Sequence, residues 1–491
     1  MEDRLIQERM EKRDALRQLS INPYAHRYEP THRAAELQLK YATLKQEEKT
    51  KDVVSVAGRI ISLRRMGKVT FAHLLDESSK MQLYFREDDV GVKQYAILKL
   101  CDVGDIIGAE GTIFKTKTGE VTVSVEKFAF LTKALRPLPE KFHGLQDTEL
   151  RYRMRYVDLI VNPHIRSLFI TRVKIIQTMR EIFERHGFLE VETPILQPIY
   201  GGGHAKPFTT HHNELNMKMY LRISNELYLK RLIIGGFERV YEFSKDFRNE
   251  GVSTRHNPEF LLVETMAAYW DYRDSLKMVE TLISETAKRV LGKTTIEYQG
   301  QAIDLTPPWT QVTMMEAVKK YVGVDFTKVK NSKDARKLAE KAKVKTDAAM
   351  GTGKILNTIY EECVEPKLIQ PTFVMDYPVE VSPLAKKKEG DGDFTERFEL
   401  VIGGREYANV YSELNDPQIL RENWEHQKKL FDAGDEEAQP IDEDFLRALE
   451  YGMPPTSGLG IGVDRLVMLL TNSASIRDVI FFPILKQEEN I

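Results

Sequence analysis

Short runs of alternating apolar and polar residues occupy positions 53–63, 69–75, 81–85, 106–114 and 121–130. A period of two predicts half-buried strands. Turn signals separate the runs at Met66-Gly67-Lys68, Asp76 to Ser79 and Lys117-Thr118-Gly119, and a helix-like stretch covers 94–100. Upstream, residues 2–19 read as a charged helix whose apolar positions Leu5, Met10, Leu16 and Leu19 are too sparse for a core helix. Downstream the period lengthens. Residues 165–186 carry the repeat of a long amphipathic helix closed by Gly187, with a strand at 188–191 that stops before Pro194. Strand-like runs at 240–247 and 259–263 flank a polar loop. A helical block spans 309–369, and a Gly-rich strand from Gly458 leads into the apolar helix 466–470.

Five strands with a helix after the third predict a small closed barrel of the OB type over residues 53–132, behind a helical extension at 1–52. Two prolines and a glycine make 133–151 a linker, leaving 152–491 as a second, larger domain of α+β character. A length of 491 residues accommodates this division. The near balance of 71 Lys and Arg against 74 Asp and Glu decides nothing about nucleic acid, because basic residues can be concentrated locally. Residues 58–141 hold 14 basic against 11 acidic residues, a slight excess. Two distant cysteines, Cys101 and Cys363, disfavour a disulfide framework or a zinc site and fit a reducing cytoplasm. No run of 18 apolar residues and no signal segment argues for a membrane or for export.

The densest candidate chemistry is Arg248-Asn249-Glu250-Gly251, followed by Arg255-His256-Asn257-Pro258-Glu259-Phe260. A loop with these residues can hold a nucleotide: Arg248 forks onto phosphate, His256 reaches another phosphate oxygen and Phe260 stacks on a base. A surface hairpin laced with ion pairs is the bland alternative. Gly351-Thr352-Gly353-Lys354 lacks the spacing and the preceding strand of a phosphate-binding loop and is set aside. Gly403-Gly404 between two strand-like runs predicts a tight hairpin. With those two in the turn, Val401 pairs with Glu406 and Glu399 with Ala408, so Glu399 and Glu406 share a face. Two carboxylates on one face repel unless a cation such as Mg²⁺ lies between them; a solvent-facing edge is the alternative. On that register Asn409, Tyr411 and Glu413 point the other way, unless the strand bulges or twists after Ala408.

The pair FRNEG…RHNPEF and GLGIGVDR resembles motifs 2 and 3 of the class II aminoacyl-tRNA synthetases, in wording similar to the lysyl branch of bacterial architecture. The helix at 165–186, its strand and Pro194 resemble motif 1, which forms the homodimer interface in that family. The block at about 310–370 is similar to the family's helical insertion. The resemblance covers nearly the whole chain. It implies an OB-type anticodon barrel joined to an antiparallel sheet flanked by helices. The implied activity is ATP-dependent activation of L-lysine to lysyl-adenylate and transfer to the 3′-terminal ribose of tRNA. The implied catalytic residues are Arg248 and Arg465, with Glu250, His256 and Phe260 completing the ATP site and Glu399 and Glu406 holding Mg²⁺, more than one ion per subunit. Lysine falls to Gly202, Glu226, Glu264, Asn409 and Glu413, since a cationic side chain needs buried carboxylates. The anticodon falls to Arg64, Phe71, Gln82 and Glu120, the pattern by which an OB face reads single-stranded RNA.

The chain departs from the family where Met266 replaces a Tyr set against the lysine side chain. His204 and Lys206 also stand where small residues and Arg are common. A lysine ligase acting on a protein is disfavoured by the barrel, which such ligases lack. A non-catalytic RNA-binding paralogue is disfavoured by retention of Arg248, Arg465, Glu399 and Glu406.

Overall fold

A computed structural model describes residues 2–139, 145–203, 205–348, 350–432 and 440–487. His204 and part of the linker expected at 133–151 lie outside the described residues. The chain forms two compact units, Met1–Gln146 and Asp147–Ile491, whose cores share no residues.

In the first unit, strands β1 (Lys49–Met66), β2 (Val69–Leu75), β3 (Lys80–Arg86), β4 (Ile106–Lys115) and β5 (Val121–Thr132) close into a barrel in the order β1-β2-β3-β5-β4. Only the β3–β5 pair is parallel. β1 starts before the expected Val53 and is long enough to serve two neighbours, β4 with its first part and β2 with its last. A bulge between Ile60 and Ser62 turns it from one to the other. Alternation does the rest: Thr70, Ala72 and Leu74 with Met81, Leu83 and Phe85 fill the barrel, while Phe71, His73, Gln82 and Tyr84 face outward. Helix α1 (Glu2–Gln18) buries only Leu16. It is tied down by polar contacts instead, Arg9 donating to the carbonyls of Val103, Ala134 and Arg136 and Lys12 pairing with Asp102 at 2.5 Å.

The second unit is built on an eight-stranded sheet. Its strands are β6 (Leu189–Glu190), β7 (Arg239–Phe247), β8 (Glu259–Ala268), β9 (Thr310–Thr313), β10 (Thr372–Met375), β11 (Arg397–Ile402), β12 (Arg405–Ser412) and β13 (Thr456–Gly462). They lie in the order β9-β10-β11-β12-β13-β8-β7-β6. The expectation of an antiparallel sheet holds for the six central strands. Each edge carries a parallel strand, β9 on β10 and β6 on β7. A parallel pair needs a long crossover, and between β9 and β10 this is supplied by helices α5 (Met314–Val322), α6 (Ser332–Ala342) and α7 (Thr352–Cys363). The helical block therefore begins with a strand. Its helices pack Val318, Ala335, Ala339, Ile355 and Ile359 against Val374 and Val401 of the sheet.

One face of the sheet presents Leu400, Val410, Leu459 and Ile461 to helices α2 (Pro163–Arg185) and α4 (Tyr272–Leu291), which contribute Ile175, Met179, Ile182, Leu276, Val279 and Ile283 to the largest core. The opposite face stays open at the centre. That opening is the site.

Candidate active site

β13 runs between β8 and β12, so that Gly460 lies between Glu264 and Asn409 and Gly458 between Met266 and Tyr411. With a period of two, Gly458, Gly460 and Gly462 all present hydrogen to the open face. Here the sequence needs glycine for space: a Cβ at Gly458 would collide with the Glu413 carboxylate and press on Met266. The bare floor leaves a cavity of about 550 Å³. All twelve residues that sequence assigned to catalysis, ATP, lysine and metal line it: Gly202, Glu226, Arg248, Glu250, His256, Phe260, Glu264, Glu399, Glu406, Asn409, Glu413 and Arg465.

The expected hairpin register is right for its first two pairs, Ile402 with Arg405 and Val401 with Glu406. It then shifts by one residue. Leu400, not Glu399, pairs with Ala408, and Glu399 lies opposite Asn409, because Tyr407 bulges out of the ladder. The irregularity thus precedes Ala408 instead of following it. It brings Asn409, Tyr411 and Glu413 round to the face of Glu399 and Glu406, which a regular strand could not do.

At the end of the cavity lined by the loop after β7, the Arg248 guanidinium sits 5.1 Å from the centre of the Phe260 ring. The ring expected to stack on a base carries an arginine in this structure. His256 and Glu250 are exposed on the loop, where Ser253 Oγ holds His256 through Nδ1 at 3.1 Å and through its backbone N–H. Although the residue is largely exposed, partial desolvation of its ring, with Arg465 second, holds the His256 imidazole below its ordinary pKa. Arg465 opens helix α8 (Val463–Leu470) and donates to the backbone carbonyl of Glu406 at 2.9 Å and to its carboxylate at 3.2 Å. Its neighbour Asp464 is buried and accepts from Arg172 on α2 at 2.5 Å and from the N–H of Leu261 on β8 at 2.7 Å. One carboxylate therefore fastens three distant segments under the site.

Glu399 is pushed up to about 7 by burial and by the neighbouring Glu406, against the pull of Arg397. Arg397, which sequence reasoning missed, donates to Glu399 at 2.6 Å and to Asn409 Oδ1 at 3.0 Å, fixing one residue of each implied subsite. Glu365, in the 3-10 turn after α7, is likewise raised to about 7 by burial and by Glu406.

At the other end of the cavity the three glutamates are not equivalent. On α3 (Glu226–Ile234) Lys230 lies one turn after Glu226 and is fully buried, its Nζ 2.5 Å from both Glu226 and Glu413. Burial opposes this ammonium, but the two carboxylates outweigh it and raise its pKa. Tyr411 donates to the remaining Glu226 oxygen at 2.7 Å. Among the described residues Glu264 accepts only from neutral donors, Ser224 Oγ at 3.2 Å and the N–H of Asn225 at 3.3 Å; burial, with Asp246 and Glu226, pushes its pKa well up. Lys230 is the resident the sequence reading overlooked. Met266 is 2% exposed and borders the same space.

On the barrel of the other unit, Arg64, Phe71 and Gln82 line a surface cavity of about 640 Å³. Phe71 is outside the barrel core and packs on Tyr84, ring centres 5.1 Å apart, with Phe114 next in line at 5.7 Å from Tyr84. Glu120 accepts from Gln82 at 2.7 Å and is 2.9 Å from His73 Nε2, whose Nδ1 meets Ser62 Oγ at 2.7 Å. Tyr84, Phe114 and His73 were not singled out by sequence, although Tyr84 sits two residues after Gln82 and shares its face.

A family profile described as class II tRNA synthetases (D, K and N) matches residues 147–486, and one described as an OB-fold nucleic acid binding domain matches 54–131. A lysine–tRNA ligase of Pelotomaculum thermopropionicum is 54% identical over 487 residues, covering 99% of this chain and 95% of its own. Those of Carboxydothermus hydrogenoformans and Bacillus subtilis are each 52% identical, covering 99% and 98% of this chain and 98% and 97% of theirs. The chain belongs to the class II lysine–tRNA ligases.

Class II synthetases use ATP and Mg²⁺. Among the described residues no group of three or more His, Cys, Asp or Glu side chains is arranged around one metal position. Mg²⁺ takes one or two protein carboxylates and completes its shell with phosphate oxygens and waters. Glu399, raised by burial and by the neighbouring Glu406, fits that role together with Glu406. The Gly351 segment does not offer a phosphate cradle in this ligase: the N–H groups of Gly351, Gly353 and Lys354 are taken by the Glu380 carboxylate at 3.0, 2.9 and 3.2 Å.

Proposed function

We propose that the protein activates L-lysine with ATP and transfers it to the 3′-terminal ribose of tRNA(Lys). The observation that carries the reading is the gathering of all twelve sequence-assigned residues on one cavity. In the first step the lysine carboxylate attacks the α-phosphorus, the bond to the bridging oxygen breaks and pyrophosphate leaves. In the second, the ribose hydroxyl attacks the acyl carbon and AMP leaves. Neither needs a strong general base on the enzyme; positioning and charge neutralisation supply the acceleration. Arg248 holds the α-phosphate, Arg465 and His256 the outer phosphates, Glu250 the adenine amino group and Phe260 the ring. For Phe260 to stack on adenine, Arg248 must swing off it toward phosphate. Glu399 and Glu406 would hold Mg²⁺, more than one ion per subunit, which would supply neutralisation of the phosphate charge.

Lysine brings two ammonium groups and one carboxylate. Glu226, Glu264 and Glu413, offset by Lys230, leave the pocket two uncompensated negative charges when ionised, which the two ammonium groups balance. Gly202 and Asn409 complete the lysine site. The barrel, through Arg64, Phe71, Gln82 and Glu120, reads the anticodon. α2 and its surroundings expose Ile170, Val173, Leu189, Ile195 and Leu196, which would supply the apolar contact of a homodimer. Two free thiols suit the cytoplasm, and no described helix is long and apolar enough to cross a membrane. Lysine-dependent ATP–pyrophosphate exchange, run with ornithine, arginine and aspartate in parallel, tests the reading. Exchange with lysine followed by charging of tRNA is expected; the absence of exchange with any amino acid would sink it.

A further inference from the structure

The chain as a whole is slightly acidic, yet residues 328–345 hold seven lysines and one arginine against two acids. All seven lysines are exposed. On α6, Lys333, Lys337 and Lys341 follow one another at i, i+4 and i+8, forming a ladder with rungs about 6 Å apart. The opposite side of the helix, Ala335 and Ala339, is buried against the insertion core. Lys328 and Lys330 precede the ladder, and Lys343 and Lys345 follow it. Lys337 pairs with Asp334 at 3.1 Å; the other six form no ion pair among the described residues.

Asp334 and Glu340 share the exposed side of α6 with the ladder, but eight basic residues against two acids leave residues 328–345 a net charge of +6. Like charges at i, i+4 each cost a few tenths of a kcal/mol, and only the last rung gains from the helix dipole. That excess of exposed positive charge attracts a polyanion. Arg336, the one cation turned away, is spent on the carbonyls of Ala348 and Met350 at 2.7 and 3.1 Å. The block adjoins the cavity: α7 contributes Glu361 to its wall. A tRNA whose terminal ribose enters that cavity must trail its phosphate backbone across the rim.

We propose that the lysine ladder of α6 grips the sugar–phosphate backbone of the tRNA acceptor arm. The proposal rests on the tRNA-charging reading. Lysines contact phosphate as point charges and carry no base specificity, so the ladder adds affinity and leaves identity to other surfaces. An anionic membrane is the weaker partner, because a surface-lying helix needs a free apolar face and that of α6 is already packed.

The test is the triple variant K333E/K337E/K341E in the full-length enzyme, beside K333Q/K337Q/K341Q, which removes charge with less risk to folding. Exchange of pyrophosphate needs no RNA and is expected to be unchanged, as none of the three lines the cavity. The KM for tRNA in aminoacylation is expected to rise at least about tenfold. The slope of log KM against log salt should flatten by roughly 0.7 to 0.9 for each phosphate no longer neutralised. An unchanged tRNA KM and slope with normal exchange overturns the proposal. So does a loss of binding to vesicles containing phosphatidylserine with an unchanged tRNA KM, which assigns the face to a membrane. A wild-type enzyme without lysine-dependent exchange overturns the function instead, a result separate from either.

Discussion

Lys230 holds an ammonium between Glu226 and Glu413, and on the proposed reading the substrate adds a second one close by. Replacing it by Met leaves two buried carboxylates facing each other. Removing one partner of a buried ion pair costs about 3–5 kcal/mol, so K230M is expected to unfold at lower urea at pH 8. Proton uptake by one carboxylate relieves the repulsion, so the deficit should narrow at pH 5.5; a deficit equal at both values would mean that poorer packing is responsible. Met266→Tyr should lower the KM for lysine several-fold, the worth of about 1 kcal/mol from one added hydroxyl contact. Steady-state exchange kinetics would reveal it. Glu399 and Glu365, both raised to about 7, hold protons below that pH that a cation must displace. The Mg²⁺ concentration giving half-maximal exchange should therefore climb as pH falls from 8 to 6, approaching tenfold per unit for one displaced proton. Titrations at three pH values check the sign. The sequence marked the carboxylates because a cationic substrate demands them. It did not mark Lys230 or Arg397, since spacing alone cannot distinguish a buried helical or strand cation from the ordinary exposed kind.

Among elements, the hairpin of β11 and β12 and the glycine strand β13 do the most to shape the site. Gly403-Gly404 announced the turn, and the alternation announced two strands, so the first pairs were legible. The bulge at Tyr407 was not, because one extra residue in a ladder leaves no compositional trace; the parity conflict at Asn409 was its only signature. β13 also admits a direct test. Gly458→Ala places a methyl group against Glu413 and Met266 and should raise the KM for lysine tenfold or more, while the KM for ATP moves little. Equal damage to both would indicate that the strand, and not the pocket, has shifted. Asp464 is comparable in reach: it fastens α2, β8 and α8, a role invisible in a motif whose evident feature is its arginine.

For the molecule as a whole, the barrel followed by a larger α+β unit could be read from the change in hydrophobic period. The parallel edge strands could not, since β6 is two residues long and β9 reads as the start of a helical block. Because the two units have separate cores, residues 147–491 should fold alone and sustain lysine-dependent exchange within a few-fold of the full chain. Charging of tRNA by that fragment should fall by about a hundredfold or more, given that base stacking contributes about 1–3 kcal/mol per base. Loss of exchange on truncation would refute the independence of the units.

The three glycines of β13 give the amino-acid pocket a direction of change. Nothing smaller than glycine exists, so the floor can be raised by mutation but never lowered. Single substitutions at 458, 460 or 462 can only exclude bulk. A lineage that accepts a larger amino acid must instead retract a wall, and Met266 is a flexible, buried side chain on that wall. Drift toward new substrates should therefore be recorded on β8, with β13 held still.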